Sequence, residues 1–195
     1  MQSGTLRSRA KAERRTALVN AAIALFASRG FTDTPLEDIG SAAGVSGPAV
    51  YRHFASKQAV LAAILVEQST DLLDGGRAVL AQDLSTAETI GALVDFHITF
   101  ALGRAEIIRI QDHDLDKLSE SDRHAVRAAQ RAYVEIWVET LAGVHPDDSA
   151  AARRTRAHAA FGLMNSTPYS AGRGPHTRRI IERMTVAALY APLDP

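Results

Sequence analysis

Apolar residues recur along this chain at intervals of three and four, the spacing that places side chains on one face of an α-helix. In the first third of the chain, Leu18, Ala22 and Phe26 follow this spacing, and Gly30 stands where a helix would end. No segment shows the alternation of apolar and polar residues that a half-buried strand would have. The pattern predicts an all-α protein, with a first helix over about residues 11–29.

Two short helices are predicted next, separated by a tight turn. Thr34, Pro35 and Glu37 have the pattern of a capping box, which opens a second helix. Gly44 ends that helix, and Ser46 caps a third helix. Proline is tolerated in the first turn of a helix, because backbone N–H groups there have no intrahelical partner and the missing N–H of proline costs nothing. Two short helices joined by a turn that contains glycine are typical of a helix-turn-helix.

The rest of the chain predicts longer helices. Ser56 opens a fourth helix, which Gly75 and Gly76 are expected to end. Ser85 with Glu88 has the pattern of a second capping box. The later helices are predicted to run from Ser85 to a break at Gly103 and over about residues 105–118, 122–142, 147–165 and 177–191, with a loop at 166–176.

Charge is distributed unevenly along the chain, although the net charge is zero. Residues 1–57 contain eight Lys and Arg against four Asp and Glu, a balance of +4, and the remainder contains fourteen against eighteen, a balance of −4. A basic front part suits binding to a polyanion. We therefore expect an N-terminal head of residues 1–56, made of a basic arm and a helix-turn-helix domain, and a larger helical body of residues 57–195.

Composition excludes several classes of protein. The 195 residues include no cysteine, which excludes disulfide scaffolds, thiolate metal sites and cysteine nucleophiles. No apolar run reaches the length of a membrane helix, and no apolar segment of a signal peptide follows the basic N-terminus. We therefore expect a cytoplasmic protein that does not bind membranes.

The head resembles the DNA-binding domain of the TetR family of bacterial transcriptional regulators over about residues 12–66. The resemblance rests on two runs, ALFASRGF at residues 24–31 and TDTPLEDIGSAAGVSGPAVYRHFASKQAVLAAIL at residues 32–65. It implies a DNA-binding regulator and not an enzyme, with a three-helix head on a helical body that binds a ligand. It also implies a homodimer in which the last two helices, about 147–165 and 177–191, pack with those of the partner copy. The implied function is a repressor that a small-molecule effector releases from a palindromic operator.

The resemblance and the chemistry of the third helix indicate the same candidates for DNA contacts. A recognition helix presents its N-terminal residues to the major groove, where Gly47 and Pro48 would allow a close approach. Arg52 could contact a guanine or the backbone, and the remaining candidates could contact phosphates. The predicted DNA-binding residues are Thr34, Ser46, Gly47, Pro48, Tyr51, Arg52, His53 and Lys57.

Each of these residues also has an ordinary structural interpretation. Tyr51 and Phe54 could fill the core between helices, and His53 could be a surface histidine without a role. The basic segment at residues 7–15 could be a solvated tail, or an arm that enters the minor groove.

Aromatic and polar residues among aliphatic ones predict an effector site in the body. An apolar pocket with a few placed polar groups is typical of ligand sites. The candidates are Phe96, His97, Phe100, Gln111, Tyr133, Trp137, Phe161 and Asn165. The aromatic residues and His97 could equally be ordinary core residues. Because no charged cluster accompanies them, a hydrophobic effector is favoured, and analogy with the family suggests a fatty acyl or acyl-CoA ligand.

Three other functions are weaker alternatives. A metal site near Asp112 is disfavoured because His113 points away from the helix face that Asp112 shares with Asp116, so no metal or other cofactor is expected. A DNA-binding protein without an effector would lack an apolar cavity in its body. An enzyme is disfavoured because the sequence contains no nucleophile elbow, phosphate-binding loop or credible pair of catalytic carboxylates.

Overall fold

The computed structural model describes residues 2–169 and 174–192, apart from the side chains of residues 2–7 and Pro168. The described residues contain helices and no strands, which confirms the predicted all-α class. In chain order the helices are α1 (Gln2–Arg29), α2 (Leu36–Ala42), α3 (Gly47–Val50), α4 (Lys57–Leu80), α5 (Thr86–Gly103), α6 (Ala105–Asp114), α7 (Glu120–Ala142), α8 (Ala150–Met164) and α9 (Pro175–Tyr190). No helix in this part of the chain is long and apolar enough to span a membrane.

The chain forms two compact units. The first contains residues up to Glu67 together with Arg109–His124, and the second contains Gln68–Ile108 together with the residues from Ala125 onward. The helices α4, α6 and α7 pass from one unit to the other. The division into residues 1–56 and 57–195 stays a prediction, since the two compact units are not single continuous stretches of sequence.

The helix α1 is longer than predicted. It begins at Gln2, and residues 7–15 therefore continue the helix and do not form a separate arm. This segment is rich in Arg, Ala, Lys and Glu, which are good helix formers, and Arg9 pairs with Glu13 one turn later at 3.3 Å. As predicted, Gly30 follows the end of the helix, with φ +82° and its N–H donating to the Phe26 carbonyl at 2.9 Å.

The predicted capping box at the start of α2 is wrong. Pro35 occupies the capping position and has no side chain that could accept a hydrogen bond. Thr34 is fully buried, and its hydroxyl donates to the carbonyl of Gly30 at 2.8 Å. Its hydroxyl therefore stabilises the turn after α1 instead of capping α2, while Glu37 accepts a hydrogen bond from Tyr51.

The two helices of the helix-turn-helix pack through a glycine. A Cβ atom added at Gly40 would lie 2.5 Å from Val50 Cγ2 and 3.1 Å from the carbonyl oxygen of Val45. Gly44 turns the chain between the two helices with φ +67°, which suits glycine because it lacks a side chain. Leu36 and Val50 are buried in the same core. This close contact fixes α3 against α2.

The helix α4 continues through the two glycines that were expected to end it. It extends to Leu80, because aromatic rings pack directly on its backbone at this point. The ring of Phe96 occupies the space of a Cβ atom at Gly75, and a Cβ atom at Gly76 would lie 2.7 Å from the ring of Tyr133. The two glycines therefore allow aromatic rings to pack closely on α4, and they do not end the helix.

The ends of the last helices differ from the predictions by a few residues. The predicted capping box of Ser85 and Glu88 is present at the start of α5. The helix α8 starts at Ala150, because Ser149 caps it and Asp148 instead accepts a hydrogen bond from the buried Arg156 at 2.8 Å. Within the predicted loop, residues 167–169 form a 3-10 turn, and residues 170–173 lie outside the described residues.

Candidate DNA-binding and effector sites

The predicted DNA-binding residues differ in their accessibility. Tyr51 exposes 54% of its surface, and the other exposed candidates are Ser46, Pro48 and Arg52. Gly47, His53 and Lys57 are half-buried. The exposed candidates lie at the start of α3 and in the turn that directly follows it, where the backbone N–H groups of residues 53 and 54 donate to the Val50 carbonyl. The start and end of α3 therefore share a polar, accessible surface.

Tyr51 presents a hydroxyl that already binds an anionic oxygen. It donates to Glu37 Oε1 at 3.0 Å, and this bond to a carboxylate raises the pKa of the Tyr51 hydroxyl. A phosphate oxygen is an acceptor of the same kind. The exposure of Tyr51 excludes the core interpretation in this structure, whereas the neighbouring Phe54 is buried as that interpretation required.

Basic residues of α1 extend the surface around His53. Burial lowers the pKa of His53, and the positive charges of Lys11, Arg14, Arg52 and Arg15 lower it further. Lys11, Arg14 and Arg52 are exposed and form no ion pair among the described residues, while Arg15 lies 3.6 Å from Glu67. The sequence leaves residues 7–15 open between a solvated tail and a minor-groove arm, since spacing alone does not show that α1 and the turn after α3 come together.

Two of the predicted phosphate contacts have structural roles. The ammonium of Lys57 donates to the carbonyls of Phe31 and Thr32, at 2.6 and 2.9 Å, and lies 4.5 Å from the centre of the Phe31 ring. It therefore secures the loop after α1. The Thr34 side chain is fully buried and already hydrogen-bonded to Gly30, so a phosphate contact at Thr34 stays a prediction.

Four of the predicted effector residues form one group of rings in the second unit. We call His97, Tyr133, Trp137 and Phe161 the aromatic cluster. The rings of His97, Tyr133 and Phe161 are roughly parallel, with angles of 12–26° and centroids 5.1–5.7 Å apart. The ring of Trp137 stands nearly perpendicular to all three, with its centroid 5.3–6.3 Å from theirs. Such edge-to-face contacts are favourable between aromatic rings.

A chain of hydrogen bonds runs through the cluster to Asn165. His97 Nδ1 lies 3.1 Å from the Tyr133 hydroxyl, and His97 Nε2 lies 3.0 Å from Asn165 Oδ1. Burial lowers the pKa of His97 to about 4, so the imidazole is neutral at pH 7 and has one N–H and one acceptor nitrogen. With the Asn165 amide in this orientation, Nε2 donates to Asn165 and Nδ1 accepts from Tyr133.

The other predicted effector residues lie at the margin of this group or outside it. Phe100 is half-buried beside His97, with ring centroids 6.5 Å apart. Phe96 packs on Gly75 of α4. Gln111 belongs to the first unit, and its place in an effector site stays a prediction.

Comparisons with known proteins assign both parts of the chain to one family. Residues 18–64 match the profile of bacterial regulatory proteins of the tetR family, and residues 83–188 match the profile of the tetracyclin repressor-like C-terminal domain. The chain belongs to the TetR family of bacterial transcriptional regulators. This confirms the resemblance found in the head, and it makes the protein a DNA-binding regulator and not an enzyme.

Known proteins resemble this chain along most of its length. The transcriptional repressor KstR2 of Rhodococcus jostii is 31% identical over 136 residues, which are 69% of this chain and 67% of the relative. The crystal structure of a TetR-family regulator from Bordetella parapertussis is 24% identical, with a TM-score of 0.82 over 93% of this chain and 98% of that one. The structure of AibR in complex with isovaleryl coenzyme A and operator DNA is 22% identical, with a TM-score of 0.75 over 92% of this chain and 100% of that one.

Two glycines allow a test of how closely α2 packs against α3 in this TetR-family head. We expect Gly40→Ala to destabilise the protein by about 1–3 kcal/mol, because the added methyl group overpacks α2 against α3. Gly47→Ala adds the same group where nothing lies within 4 Å, so the free energy of unfolding should change by less than about 0.5 kcal/mol. Urea denaturation of the two variants measures both effects, and equal destabilisation would contradict the described packing.

Proposed function

We propose that this regulator is a homodimeric repressor that binds a palindromic operator through the surface around α3. In this proposal, a hydrophobic effector of the fatty acyl or acyl-CoA class binds the second unit and releases the operator. A repressor of this kind would act in the cytoplasm, where the bacterial DNA is.

The DNA-binding proposal is carried by the exposed surface at α3. Arg52 lies there with Lys11 and Arg14 of α1, and none of the three forms an ion pair among the described residues. Gly47 and Pro48 place no long side chain at the start of α3, so a DNA backbone or base edge could approach closely. Tyr51 adds a hydroxyl that can exchange its carboxylate partner for a phosphate.

The dimer proposal is supported by apolar side chains on α9. Ile180 and Met184 expose 45% and 52% of their surfaces and lie one helical turn apart. By contrast, Ile181 and Leu189 of the same helix are buried in the core of the second unit. An exposed apolar pair on a helix suits a second copy of the chain. A two-fold dimer would present its two α3 helices about one DNA turn apart, roughly 34 Å.

The effector proposal is supported by the aromatic cluster and by a relative. The cluster combines apolar rings with a few hydrogen-bonding groups, which is the usual composition of a ligand site. AibR, which shares the fold, has been crystallised with isovaleryl coenzyme A and operator DNA. A related acyl thioester is therefore the first class of effector to test for this protein.

Operator binding tests the proposal directly. Duplexes with inverted repeats from the protein's own promoter are expected to bind, measured by fluorescence anisotropy, whereas scrambled duplexes of equal length should bind far more weakly. If about six to ten phosphates are contacted, the affinity should fall by roughly 10³–10⁵-fold between 50 and 200 mM salt. An affinity that does not change with salt would contradict phosphate contacts around α3.

The effector is tested on the same complex. Isovaleryl-CoA and octanoyl-CoA are added to the protein–operator complex, with free coenzyme A as the control for the shared nucleotide part. Release by a thioester but not by coenzyme A supports an acyl effector. If neither thioester changes operator binding, the acyl class is wrong for this protein.

A further inference from the structure

The indole N–H of Trp137 is a buried donor without a hydrogen-bond partner. Trp137 is 0% exposed, and its Nε1 atom meets no acceptor. An indole nitrogen can only donate, and leaving a buried donor unsatisfied is unfavourable. Burial raises the pKa of the Tyr133 hydroxyl, and the nearby indole N–H lowers it. The two groups nevertheless do not form a hydrogen bond of normal geometry. This unsatisfied donor, which is packed among aromatic rings, is therefore available to an acceptor from outside the chain.

The other donors of the aromatic cluster are already occupied. The hydroxyl of Tyr133 donates to His97, and the N–H of His97 donates to Asn165. Within the aromatic cluster this leaves the Trp137 N–H as the group that could donate to a ligand. An acceptor on the ligand is therefore required, and a carbonyl oxygen is the simplest acceptor that an apolar molecule carries.

The surroundings of Trp137 favour an uncharged acceptor. The buried core that contains the cluster is made of apolar side chains, and His97 in it is neutral at pH 7. A carboxylate placed there would lose its hydration without gaining a cation. A cation does lie beside the neighbouring Phe100, where the Arg104 guanidinium is 5.1 Å from the ring centre, but Arg104 already pairs with Asp71 at 3.0 Å.

The aromatic cluster comes closest to solvent along α8. Phe161 and Asn165 are four residues apart on or beside this helix and are both half-buried, whereas the other members of the cluster are buried. The Phe161 ring lies flat against His97 and edge-on to Trp137. Because this ring contacts all three buried rings, its movement would open a space next to the indole.

We propose that the Trp137 N–H donates to an uncharged carbonyl oxygen of the effector, and that the aromatic cluster thereby selects ketones, esters or thioesters over free carboxylates. The apolar part of such a ligand lies against the parallel rings of His97 and Tyr133, in the place that Phe161 leaves. This inference rests on the proposed effector site and names the chemistry that the site recognises.

The test uses three probes of nearly equal shape on the full-length protein without DNA. Acetophenone carries a carbonyl, α-methylstyrene replaces its oxygen with a methylene group, and benzoate replaces its methyl group with a charged oxygen. Trp137 is the single tryptophan of the chain, so its indole N–H gives one signal in a ¹H–¹⁵N correlation spectrum. Acetophenone should move this proton signal downfield, as a new hydrogen bond does, and should bind about 3- to 10-fold more tightly than α-methylstyrene. Benzoate should bind more weakly than either.

Two variants locate the donor by calorimetric titration of the same probes. Trp137→Phe keeps an aromatic ring but removes the N–H, and it should abolish the preference for acetophenone. Tyr133→Phe removes the other hydroxyl of the cluster and should keep the preference. If Tyr133→Phe loses the preference, the donor is Tyr133. If benzoate binds best, the donor is Arg104. Either result would mean that the proposal is wrong.

An unchanged indole signal, or no binding of any probe at millimolar concentration, also overturns the proposal, even if Trp137→Phe does not fold. Because no DNA is present, these outcomes are independent of operator binding and of release by acyl thioesters, on which the proposed function depends.

Discussion

Arg52→Glu should weaken operator binding by about a hundredfold while leaving the fold intact. Arg52 is exposed in the turn after α3 and forms no ion pair among the described residues, so the free protein loses no ion pair when it is replaced. In the complex, the change removes a cation from the DNA surface and adds an anion beside phosphates. The nearby Lys11 and Arg14 would then attract DNA against a local negative charge.

A matched charge reversal in the second unit serves as the control. Arg127→Glu changes the net charge by the same amount at an exposed position of α7. It should lower the affinity far less, since Arg127 is not one of the first-unit residues that form the surface around α3. Fluorescence anisotropy at a fixed salt concentration measures both variants, and thermal unfolding should show that each keeps the stability of the parent. Equal losses of affinity would mean that DNA binding depends on the net charge of the protein and not on the surface around α3.

The same position can show whether Arg52 reads a base or a phosphate. Arg52→Gln is tested against operators that differ at single base pairs. Loss of discrimination at one guanine would indicate a base contact, whereas equal weakening for all operators and a salt slope smaller by about one would indicate a phosphate contact. The sequence leaves both open, because arginine serves either role.

Acid should destabilise the protein through His97. The pKa of this side chain is about 4 in the folded protein, against 6.5 when it is exposed on unfolding, so the unfolded chain binds more protons between these values. The stabilisation from keeping His97 neutral is therefore complete above about pH 6.5 and is lost as the pH falls toward 4. The difference corresponds to about 3 kcal/mol, of which about 2 kcal/mol should be lost by pH 5.

Urea denaturation at pH 7 and pH 5 measures this loss. In His97→Gln, which cannot titrate, the drop in the free energy of unfolding between the two pH values should be smaller than in the parent by about 2 kcal/mol. His124→Gln removes an exposed histidine of α7 and should keep the drop of the parent protein. Carboxylates contribute equally to this drop in all three proteins, so the comparison isolates the contribution of His97. A drop in His97→Gln that equals that of the parent would show that His97 is accessible to protons when folded.

Local signals in the sequence were reliable where the residues that form a feature are neighbours in the chain. The end of α1 at Gly30 and the capping box of Ser85 and Glu88 depend on a few consecutive residues, and both are present in the structure. The resemblance of the head to the TetR family has the same origin, since the helix-turn-helix lies within about thirty residues. The sequence could not show the same for Gly75, because the ring that packs on it belongs to another helix. The Thr34 cap is an exception among the local signals, since its hydroxyl bonds to Gly30, four positions before it, and not to α2.

The sequence by itself therefore determined the helical class, the family and the position of the recognition segment, because periodicity, caps and turn residues act over short distances along the chain. Tertiary structure alone decided that α4 passes through its glycines, that Lys57 binds the loop after α1 and that His97 lies between Tyr133 and Asn165. Those contacts join residues 21 to 68 positions apart. Burial and neighbouring groups determine the hydrogen bonds and the protonation of such side chains. No pattern of consecutive residues encodes these distant contacts.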